Sequence, residues 1–445
     1  MANLTVAMNG IEIGILSLAR SGAMAFRYHP EWVDRPGARA VSLSLPLTTA
    51  PYRGEVVYNF FDNLLPDSEA IRARMQARFR VPTRHPFDLL ASIGRDCVGA
   101  IQLYPEQIPS GDVHAVTAEP LDDRAIESLL AGYHDAPLGM TEGQDFRISL
   151  AGAQEKTALL WHQGRWQRPT GSTPTSHIFK LPIGFLEHSN IDLRRSNANE
   201  WLCLRLLEAF GLPVARTELA RFGRQEVLVV ERFDRRWSRD GSWLMRLPQE
   251  DFCQALGIAP ALKYESDGGP GIAQAMRLLR GSQQAGLDRE RFFKAQILFW
   301  LLAAIDGHAK NFSLFLEPES AYRMTPLYDV ISAYPLMRQG SMVAERAKMA
   351  MALKGKNRHY RWSKMAPRHF IATANQVDYS GERVTALMGE IAGAAEGVVD
   401  TLAASLPADF PAATGEPILE GVLQQASKLT DFLNQTLPEK STSEG

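Results

Sequence analysis

The residues best suited to chemistry in this chain are two aspartates and one asparagine in its C-terminal half. Asn311 follows Asp306 by five positions, and Asp329 comes after a segment that predicts a short hairpin. An apolar helix is expected to run into Asp306, and Gly307 permits a tight turn directly after it. Asp306 or Asn311 alone is typical of a helix end or a turn, so the interpretation depends on all three residues.

These residue types match what phosphoryl transfer from ATP requires. The transition state is loose, so catalysis consists of positioning and charge neutralisation. Protein kinases separate a catalytic Asp and Asn by the same five positions. We therefore expect Asp306 to be the catalytic base and Asn311 and Asp329 to be metal ligands. The match is incomplete, because Ala304 and Ile305 replace the His-Arg of the eukaryotic loop and Asp329 lies in Tyr-Asp-Val instead of Asp-Phe-Gly.

A second segment, residues 149–157, has features of a phosphate-binding loop. Ala151, Gly152 and Ala153 carry little or no side chain, so their backbone N–H groups can approach an anion, and Lys156 adds positive charge. The segment matches neither Walker A nor GxGxxG, so an ordinary turn is the alternative. It precedes the first hairpin of a predicted small lobe, where kinases place their phosphate loop.

Two more segments could contact ATP. Lys180 lies on a short apolar strand and could direct its ammonium toward phosphates, with a solvent-facing edge lysine as the alternative. Glu200, on the next helix, could pair with Lys180 or be a solvated glutamate. The strand that ends at Glu231–Phe233 precedes the helical part of the chain, and the main chain of this hinge could bind adenine. Read alone, it is a buried strand.

Hydrophobic patterns divide the chain into β-rich and helical parts. The first hundred residues are expected to be β-rich, with a hairpin turn at Asn9-Gly10. A small sheet with one helix is expected from about residue 146 to 233, and mostly helices after it. The predicted elements include strands at Met24–Tyr28, Ala40–Leu47 and Tyr322–Tyr328, and helices at Gln249–Leu256, Arg289–Ile305 and Pro367–Gln376.

Composition excludes several classes of protein. The net charge is −2, so no global field attracts nucleic acid or an anionic membrane. Cys97, Cys203 and Cys253 lie far apart, which argues against a zinc site or a disulfide framework, and the last two are expected to be buried. No signal peptide or apolar run of about 20 residues is visible, so a cytoplasmic location is expected. The basic, aromatic run 354–362 fits either an anionic partner or a solvated loop.

Together these motifs resemble the HipA family, the toxin kinases of bacterial type II toxin–antitoxin pairs. The resemblance covers nearly the whole chain. The segments that carry it are Ser149–Leu160, His177–Lys180, Val229–Asp234 and Asp306–Ser313, with Leu45–Leu47 and Asn63–Pro66 in the N-terminal part.

The resemblance implies an α+β, protein-kinase-like two-lobed fold with a fused N-terminal β-rich subdomain and a largely helical C-terminal lobe. The expected boundaries are 1–110 for the N-terminal subdomain, 111–233 for the ATP-binding small lobe, 234–438 for the helical catalytic lobe and 439–445 for a disordered tail. ATP with Mg²⁺ is the implied cofactor. The implied ATP-binding residues are Ala151, Gly152, Ala153, Gln154, Glu155, Lys156, Lys180, Glu231, Arg232, Phe233, His308, Ala309, Lys310, Asn311, Tyr328 and Asp329.

The resemblance also implies a regulatory residue and partners. Members of the family autophosphorylate the serine that corresponds to Ser149, and nearly two added negative charges beside the ATP phosphates should expel the loop and stop the kinase. The implied substrate belongs to the translation machinery, such as an aminoacyl-tRNA synthetase. The implied partner is a HipB-like helix-turn-helix antitoxin, which binds operator DNA with the toxin attached. A catalytically silent corepressor and a small-molecule phosphotransferase are the alternatives.

Overall fold

The computed structural model describes residues 2–132, 148–152, 154–187 and 191–436. The chain forms two compact units, each assembled from three stretches of sequence. Unit 1 comprises Met1–Ile183, Ala215–Lys263 and Phe312–Thr325, and unit 2 comprises Gly184–Val214, Tyr264–Asn311 and Pro326–Gly445. The tail predicted to be disordered, 439–445, lies outside the described residues.

An antiparallel sheet and four helices form the N-terminal part of unit 1. The strands are β1 (Ala2–Met8), β2 (Ile11–Leu18), β3 (Met24–Tyr28), β4 (Tyr52–Arg53) and β5 (Ile101–Pro105), in the order β4-β3-β2-β1-β5. The helices are α1 (Pro30–Val33), α2 (Glu55–Asp62), α3 (Glu69–Phe79) and α4 (Pro86–Ile93). The predicted turn at Asn9-Gly10 is confirmed, since both residues have positive φ and join β1 to β2.

The strand predicted at Ala40–Leu47 is wrong. These residues, all of them described, hold only an isolated bridge between Ser42 and Leu45, and the Leu45 N–H donates to the Ser42 carbonyl at 3.1 Å. A buried side chain from β3 supplies two further bonds: the Tyr28 hydroxyl accepts from the Val41 N–H at 2.8 Å and donates to the Leu45 carbonyl at 2.6 Å. Side-chain partners therefore replace the ladder that the apolar alternation predicted.

A six-stranded antiparallel sheet forms the second part of unit 1. Residues 118–263 contain β6 (Ala118–Pro120), α5 (Asp123–Ala131), β7 (Lys156–His162), β8 (Arg165–Pro169), β9 (His177–Lys180), β10 (Gly184–Leu186), β11 (Ile191–Leu193), α6 (Ser196–Ala209), β12 (Thr217–Phe222), β13 (Gln225–Glu231), β14 (Arg235–Trp237), β15 (Leu244–Arg246), β16 (Gln249–Asp251) and α7 (Phe252–Ala255). Of these elements, β10, β11 and α6 belong to unit 2. The sheet has the order β12-β13-β9-β7-β8-β6. Ile126 and Leu130 of α5 pack with Phe179 and Phe222 of the sheet in one apolar cluster.

Unit 2 is mostly helical, as the sequence predicts. After residue 263 it contains α8 (Ile272–Leu278), α9 (Ala285–Leu301), α10 (Tyr334–Arg338), β19 (Lys348–Lys354), β20 (Arg358–Arg361), α11 (Pro367–Gln376), α12 (Gly381–Ser405) and α13 (Ala412–Thr436). The hairpin of β17 (Ser313–Leu316) and β18 (Tyr322–Met324) lies between α9 and α10 in the sequence but belongs to unit 1. The prediction of a helix at Pro367–Gln376 is confirmed. No helix within the described ranges is long and apolar enough to cross a membrane.

The helix predicted at Gln249–Leu256 is wrong over its first turn. Gln249–Asp251 form β16, which pairs antiparallel with β17. The helix α7 begins only after Asp251, whose carboxylate accepts the N–H of Gln254 at 2.9 Å in a capping box. The partner strand lies more than sixty residues later in the chain, so no local pattern indicates the pairing.

Two predicted boundaries beside Asp306 also differ. Helix α9 ends at Leu301, and Ala303 is left-handed with φ of 47°, so the apolar helix stops before Asp306. Strand β18 ends at Met324 instead of Tyr328, because Pro326 has no N–H to continue the ladder. The chain between Pro326 and Asp329 belongs to unit 2.

All three cysteines are buried and none of them forms a disulfide bond, which confirms that Cys203 and Cys253 are small core residues and shows that Cys97 is one too. Among the residues that the structure describes, no group of three or more His, Cys, Asp or Glu side chains could hold a metal ion.

Candidate active site

One side chain connects the three predicted catalytic residues within unit 2. The Nδ2 of Asn311 donates to the carbonyl oxygens of Asp306 at 2.9 Å and of Asp329 at 3.3 Å. Asn311 is only 5% exposed, so its amide is held in a fixed position. Because Nδ2 uses both of its hydrogens, Oδ1 is left as an acceptor, and it accepts no hydrogen bond from the described residues. The structure therefore brings Asp306, Asn311 and Asp329 together.

The carboxylate of Asp306 belongs to an exposed residue and is held by a hydrogen bond. The Tyr264 hydroxyl donates to Oδ1 of Asp306 at 2.6 Å. The main chain around Asp306 is fixed by the His308 N–H, which donates to the Asp306 carbonyl at 2.8 Å. A Cβ on Gly307 would lie 2.6 Å from the ring of Phe299, so this position requires glycine for space. Sequence reasoning missed Tyr264, which belongs to no motif and lies 42 positions before Asp306.

The residues that precede Asn311 are buried although several of them are polar. Asp329 has φ of 59°, a left-handed conformation that Asp adopts more readily than most residues. His308 and Lys310 are both buried, so neither is a solvated surface residue. The Tyr328 hydroxyl donates to the Lys310 carbonyl at 2.8 Å, which ties the segment before Asp329 to the segment before Asn311.

The candidate phosphate loop lies in unit 1 and is held by its own side chains. Gly152 has φ of 103°, and its carbonyl accepts the Asp67 N–H at 3.1 Å. The Lys156 ammonium bonds to the Ala151 carbonyl, and a Cβ on Gly152 would lie 2.7 Å from it. Gln154 donates to the Leu181 carbonyl at 2.5 Å, and Glu155 pairs with Arg74 of α3. Ala153 lies outside the described residues.

Ser149 is completely buried at the start of this loop. Its hydroxyl donates to the Leu64 carbonyl at 2.7 Å, and its N–H donates to the Asp96 carbonyl at 3.0 Å. A phosphate could not be accommodated on a buried hydroxyl that is already bonded, since a doubly charged group would lose its solvation there. Any modification of Ser149 therefore requires this segment to leave its place.

Lys180 and Glu200 are both buried. Lys180 is 7% exposed on β9, which lies between β7 and β13, so the edge-strand alternative is wrong. Glu200 is 1% exposed, so the solvated-glutamate alternative is wrong as well. The two residues belong to different compact units, and their ion pair stays a prediction.

The hinge after β13 has already used two of its donors. The Glu231 N–H donates to the Arg216 carbonyl and the Arg232 N–H to the Ser176 carbonyl, each at 2.9 Å. The Arg232 side chain is buried against Asp234, at 2.8 Å. Because these two N–H groups are already bonded, the predicted adenine contact would have to use the main-chain carbonyls of the hinge or Phe233.

The antiparallel sheet with one helix, the helical unit and the linked Asp-Asn-Asp set define a protein-kinase-like protein. Residues 148–399 match the family model described as the HipA-like C-terminal domain, and residues 4–104 match the HipA N-terminal domain. The chain therefore belongs to the HipA family of kinases, and the resemblance seen in its motifs is confirmed.

Individual relatives support this assignment. The chain is 35% identical over 338 residues to "Putative kinase Y4mE" of Sinorhizobium fredii, covering 75% of this chain and 78% of that protein. It is 28% identical over 343 residues to the "Serine/threonine-protein kinase toxin HipA" of Shewanella oneidensis, covering 74% of this chain and 75% of that protein.

A solved structure shares the fold. A chain of the Shewanella oneidensis MR-1 complex of HipA, HipB and its operator DNA matches with a TM-score of 0.79 at 21% identity. The match covers 97% of this chain and 98% of that chain. The predicted α+β, protein-kinase-like fold is confirmed.

Proposed function

We propose that this chain is an ATP-dependent serine/threonine protein kinase of the toxin type. The observation that carries the proposal is the Asn311 amide, which links the carbonyls of Asp306 and Asp329 in one rigid arrangement. Loose phosphoryl transfer needs positioned groups more than covalent chemistry, and this arrangement supplies them. The name of the Shewanella relative supports serine/threonine specificity.

Asp306 is the proposed catalytic base. Its exposed carboxylate has one oxygen held by Tyr264, which leaves Oδ2 for the hydroxyl of a serine or threonine substrate. Asp306 accepts the proton of that hydroxyl as its oxygen attacks the γ-phosphorus and the bond to ADP breaks.

We propose three groups of ATP-binding residues. The first is the phosphate loop, Ala151–Lys156, and the second comprises Lys180 and the hinge Glu231–Phe233. The third comprises His308, Ala309, Lys310, Asn311, Tyr328 and Asp329.

Mg²⁺ is the proposed metal. Asn311 Oδ1 and the Asp329 carboxylate are hard oxygen donors of the kind that Mg²⁺ prefers, and Asn311 Oδ1 accepts no bond from the described residues. These two residues would hold the ion, which when bound supplies positive charge that neutralises the phosphates.

Ser149 is the proposed site of autophosphorylation and self-inhibition. Its buried hydroxyl is bonded to Leu64, so the phosphorylated residue could not return to its place. The loop that follows it, with Gly152 and Lys156, would then lose the position that we propose for binding ATP.

The substrate and partners are proposed from the family. The substrate is a protein of the translation machinery, such as an aminoacyl-tRNA synthetase. The solved complex that shares this fold contains HipB and operator DNA, which supports a HipB-like helix-turn-helix antitoxin as the partner here. We propose that the antitoxin neutralises the kinase in the cytoplasm, contacts operator DNA and co-represses its operon with the kinase attached.

Radiolabelled ATP with Mg²⁺ tests the proposal. The wild-type chain should label itself and at least one of a panel of purified aminoacyl-tRNA synthetases. Asp306→Ala should lose both labels by at least about a thousandfold, because the base is removed. Ser149→Ala should lose only the self-label.

An exposed aspartate of unit 2, changed in Asp409→Ala, is the matched control and should behave as wild type. Full activity of Asp306→Ala would contradict the catalytic assignment. Label that enters small metabolites but no protein would favour a small-molecule phosphotransferase.

A further inference from the structure

The β19–β20 hairpin and the turn after it form a strongly basic part of unit 2. Residues 346–377 contain eight lysines and arginines and no aspartate or glutamate, although acidic residues outnumber basic ones in the whole chain, 50 to 48. We call residues 348–368 the basic hairpin. Its exposed cations are Lys348, Lys356, Arg358, Arg361, Lys364 and Arg368.

These cations are hardly neutralised by the protein itself. Within the described part of the chain, Arg358 alone of the six forms an ion pair, with Glu265 at 3.6 Å. An ordinary solvated surface mixes both signs of charge, whereas this one presents a single sign over a long stretch. The surface is therefore suited to an anionic partner.

The basic hairpin presents its charges from a fixed framework. Met349, Met351 and Leu353 of β19 are buried, and the buried Trp362 donates its indole N–H to the Trp300 carbonyl at 2.8 Å. A flexible loop would lose considerable side-chain and backbone entropy on binding a partner, and a packed hairpin loses less.

The hairpin is hydrogen-bonded to the catalytic loop. The Ala350 N–H donates to the carbonyl of Ile305, the residue before Asp306, at 2.9 Å.

A second connection runs through two neighbouring residues. Tyr264 bonds to the Asp306 carboxylate at 2.6 Å, while Glu265 accepts the Ala352 N–H of β19 at 2.7 Å and pairs with Arg358. The basic hairpin therefore lies beside the proposed base within one compact unit.

From this we propose that the basic hairpin binds an acidic segment of the protein substrate, next to the hydroxyl that is phosphorylated. The inference rests on the proposed kinase function. A peptide is favoured over nucleic acid because the surface is bonded to the loop of Asp306, which acts on a protein hydroxyl. Arginine and lysine side chains attract carboxylates. This attraction raises the association rate of the substrate more than the rate of the chemical step.

Peptide kinetics with matched variants test this inference. The two substrates are serine peptides with glutamates around the serine, or with glutamines at the same positions. For wild type at low salt, we expect kcat/KM to be about tenfold higher for the acidic peptide. A ratio of this size is the combined effect expected of three weak, exposed ion pairs. The preference should appear in KM and should vanish near 0.5 M salt, because exposed charges are screened.

The test variant combines Lys356→Gln, Arg361→Gln and Lys364→Gln, which spare Arg358 and its pair with Glu265. It should lose the preference while its kcat and its self-labelling stay unchanged. The control variant combines Arg205→Gln, Arg277→Gln and Arg338→Gln, three exposed arginines of unit 2, and should keep the preference. Equal use of the two peptides by wild type, or a preference that survives in the test variant, would overturn the inference.

Two other outcomes are decisive. If the test variant loses binding to a purified RNA but keeps its peptide preference, the surface binds nucleic acid and the inference is wrong. If wild type labels neither itself nor any peptide, the proposed kinase function fails instead. Fluorescence anisotropy of the acidic peptide with the same variants would then decide on the docking surface alone.

Discussion

At the scale of single residues, the hydroxyl of Tyr264 is the contact that distinguishes the Asp306 carboxylate from an ordinary exposed aspartate. It holds Oδ1 at 2.6 Å, while Asn311 and His308 hold the main chain of the same residue. A base whose orientation is fixed before the substrate arrives loses less entropy in the transition state. Tyr264 is therefore a positioning residue for the proposed reaction.

Tyr264→Phe should lower kcat about tenfold with an unchanged KM for ATP. The estimate corresponds to the loss of one hydrogen bond to a charged group, about 1.4 kcal/mol. Steady-state kinetics with ATP and a serine peptide would measure it. Tyr379→Phe is the matched control, since its ring stacks on Phe293 in unit 2 and no described residue bonds to its hydroxyl. Equal losses in both variants would contradict a positioning role.

The sequence predicted the three polar residues of this site but not the tyrosine that orients Asp306. Asp306, Asn311 and Asp329 could be proposed because five-position spacing and a hairpin are features of the local sequence. Tyr264 could not, because its contact with Asp306 depends on how two distant segments of unit 2 pack.

At the scale of elements, a buried carboxylate on β16 holds the segment Ala40–Leu47 in place of strand pairing. Glu250 accepts the Leu43 N–H at 2.8 Å and the Ser42 hydroxyl at 2.5 Å, which fixes the segment that the sequence predicted to be a strand. Burial raises the pKa of Glu250 from 4.5 to about 8, although both hydrogen bonds act in the opposite direction. The folded protein therefore favours a protonated carboxyl at this position.

This raised pKa makes stability depend on pH in a defined direction. Below pH 4.5 Glu250 is protonated in both states, so its contribution is complete. As the pH rises from 4.5 to about 8, Glu250 is ionised in the unfolded state but resists ionisation in the folded state, so its contribution to stability is progressively lost. Glu250→Gln should abolish this loss and gain on the order of 2 kcal/mol relative to wild type between pH 5 and 8.

Urea unfolding at pH 5, 6.5 and 8 would measure the effect. Glu218→Gln, at an exposed position of β12, is the control and should follow the wild-type curve. Parallel pH dependence of wild type and Glu250→Gln would show that Glu250 is not the group responsible.

At the scale of the whole molecule, the compact units do not follow the family domains. The N-terminal HipA domain, 4–104, and a large part of the C-terminal domain, 148–399, belong together in unit 1. Asp96 connects them: its carboxylate pairs with Arg235 at 2.8 Å, Arg246 at 3.0 Å and Arg232 at 3.3 Å, all completely or almost completely buried. Burial alone would raise the pKa of Asp96, but the three guanidinium groups hold it well below its usual range.

Asp96→Ala should destabilise the protein by about 3–5 kcal/mol, because it leaves buried guanidinium groups short of counter-charge. Asp234 remains to pair with Arg232 and Arg235, so folding should survive at room temperature. Chemical denaturation followed by circular dichroism would measure the loss. Asp34→Ala, at an exposed position of the N-terminal part, should change stability by less than about 0.5 kcal/mol. A loss of similar size in both variants would contradict a central role for Asp96.

The sequence by itself determined the local elements and the family. Asn9-Gly10 specifies its turn because both residues tolerate positive φ, and Pro367 begins α11 because its ring suits the first helical turn. Only the tertiary structure decided that Gln249–Asp251 are a strand, that Ser149 is buried and that Asp96 meets three arginines. Each of these depends on partners between 53 and 150 positions away, and periodicity within a short window carries no information about such contacts.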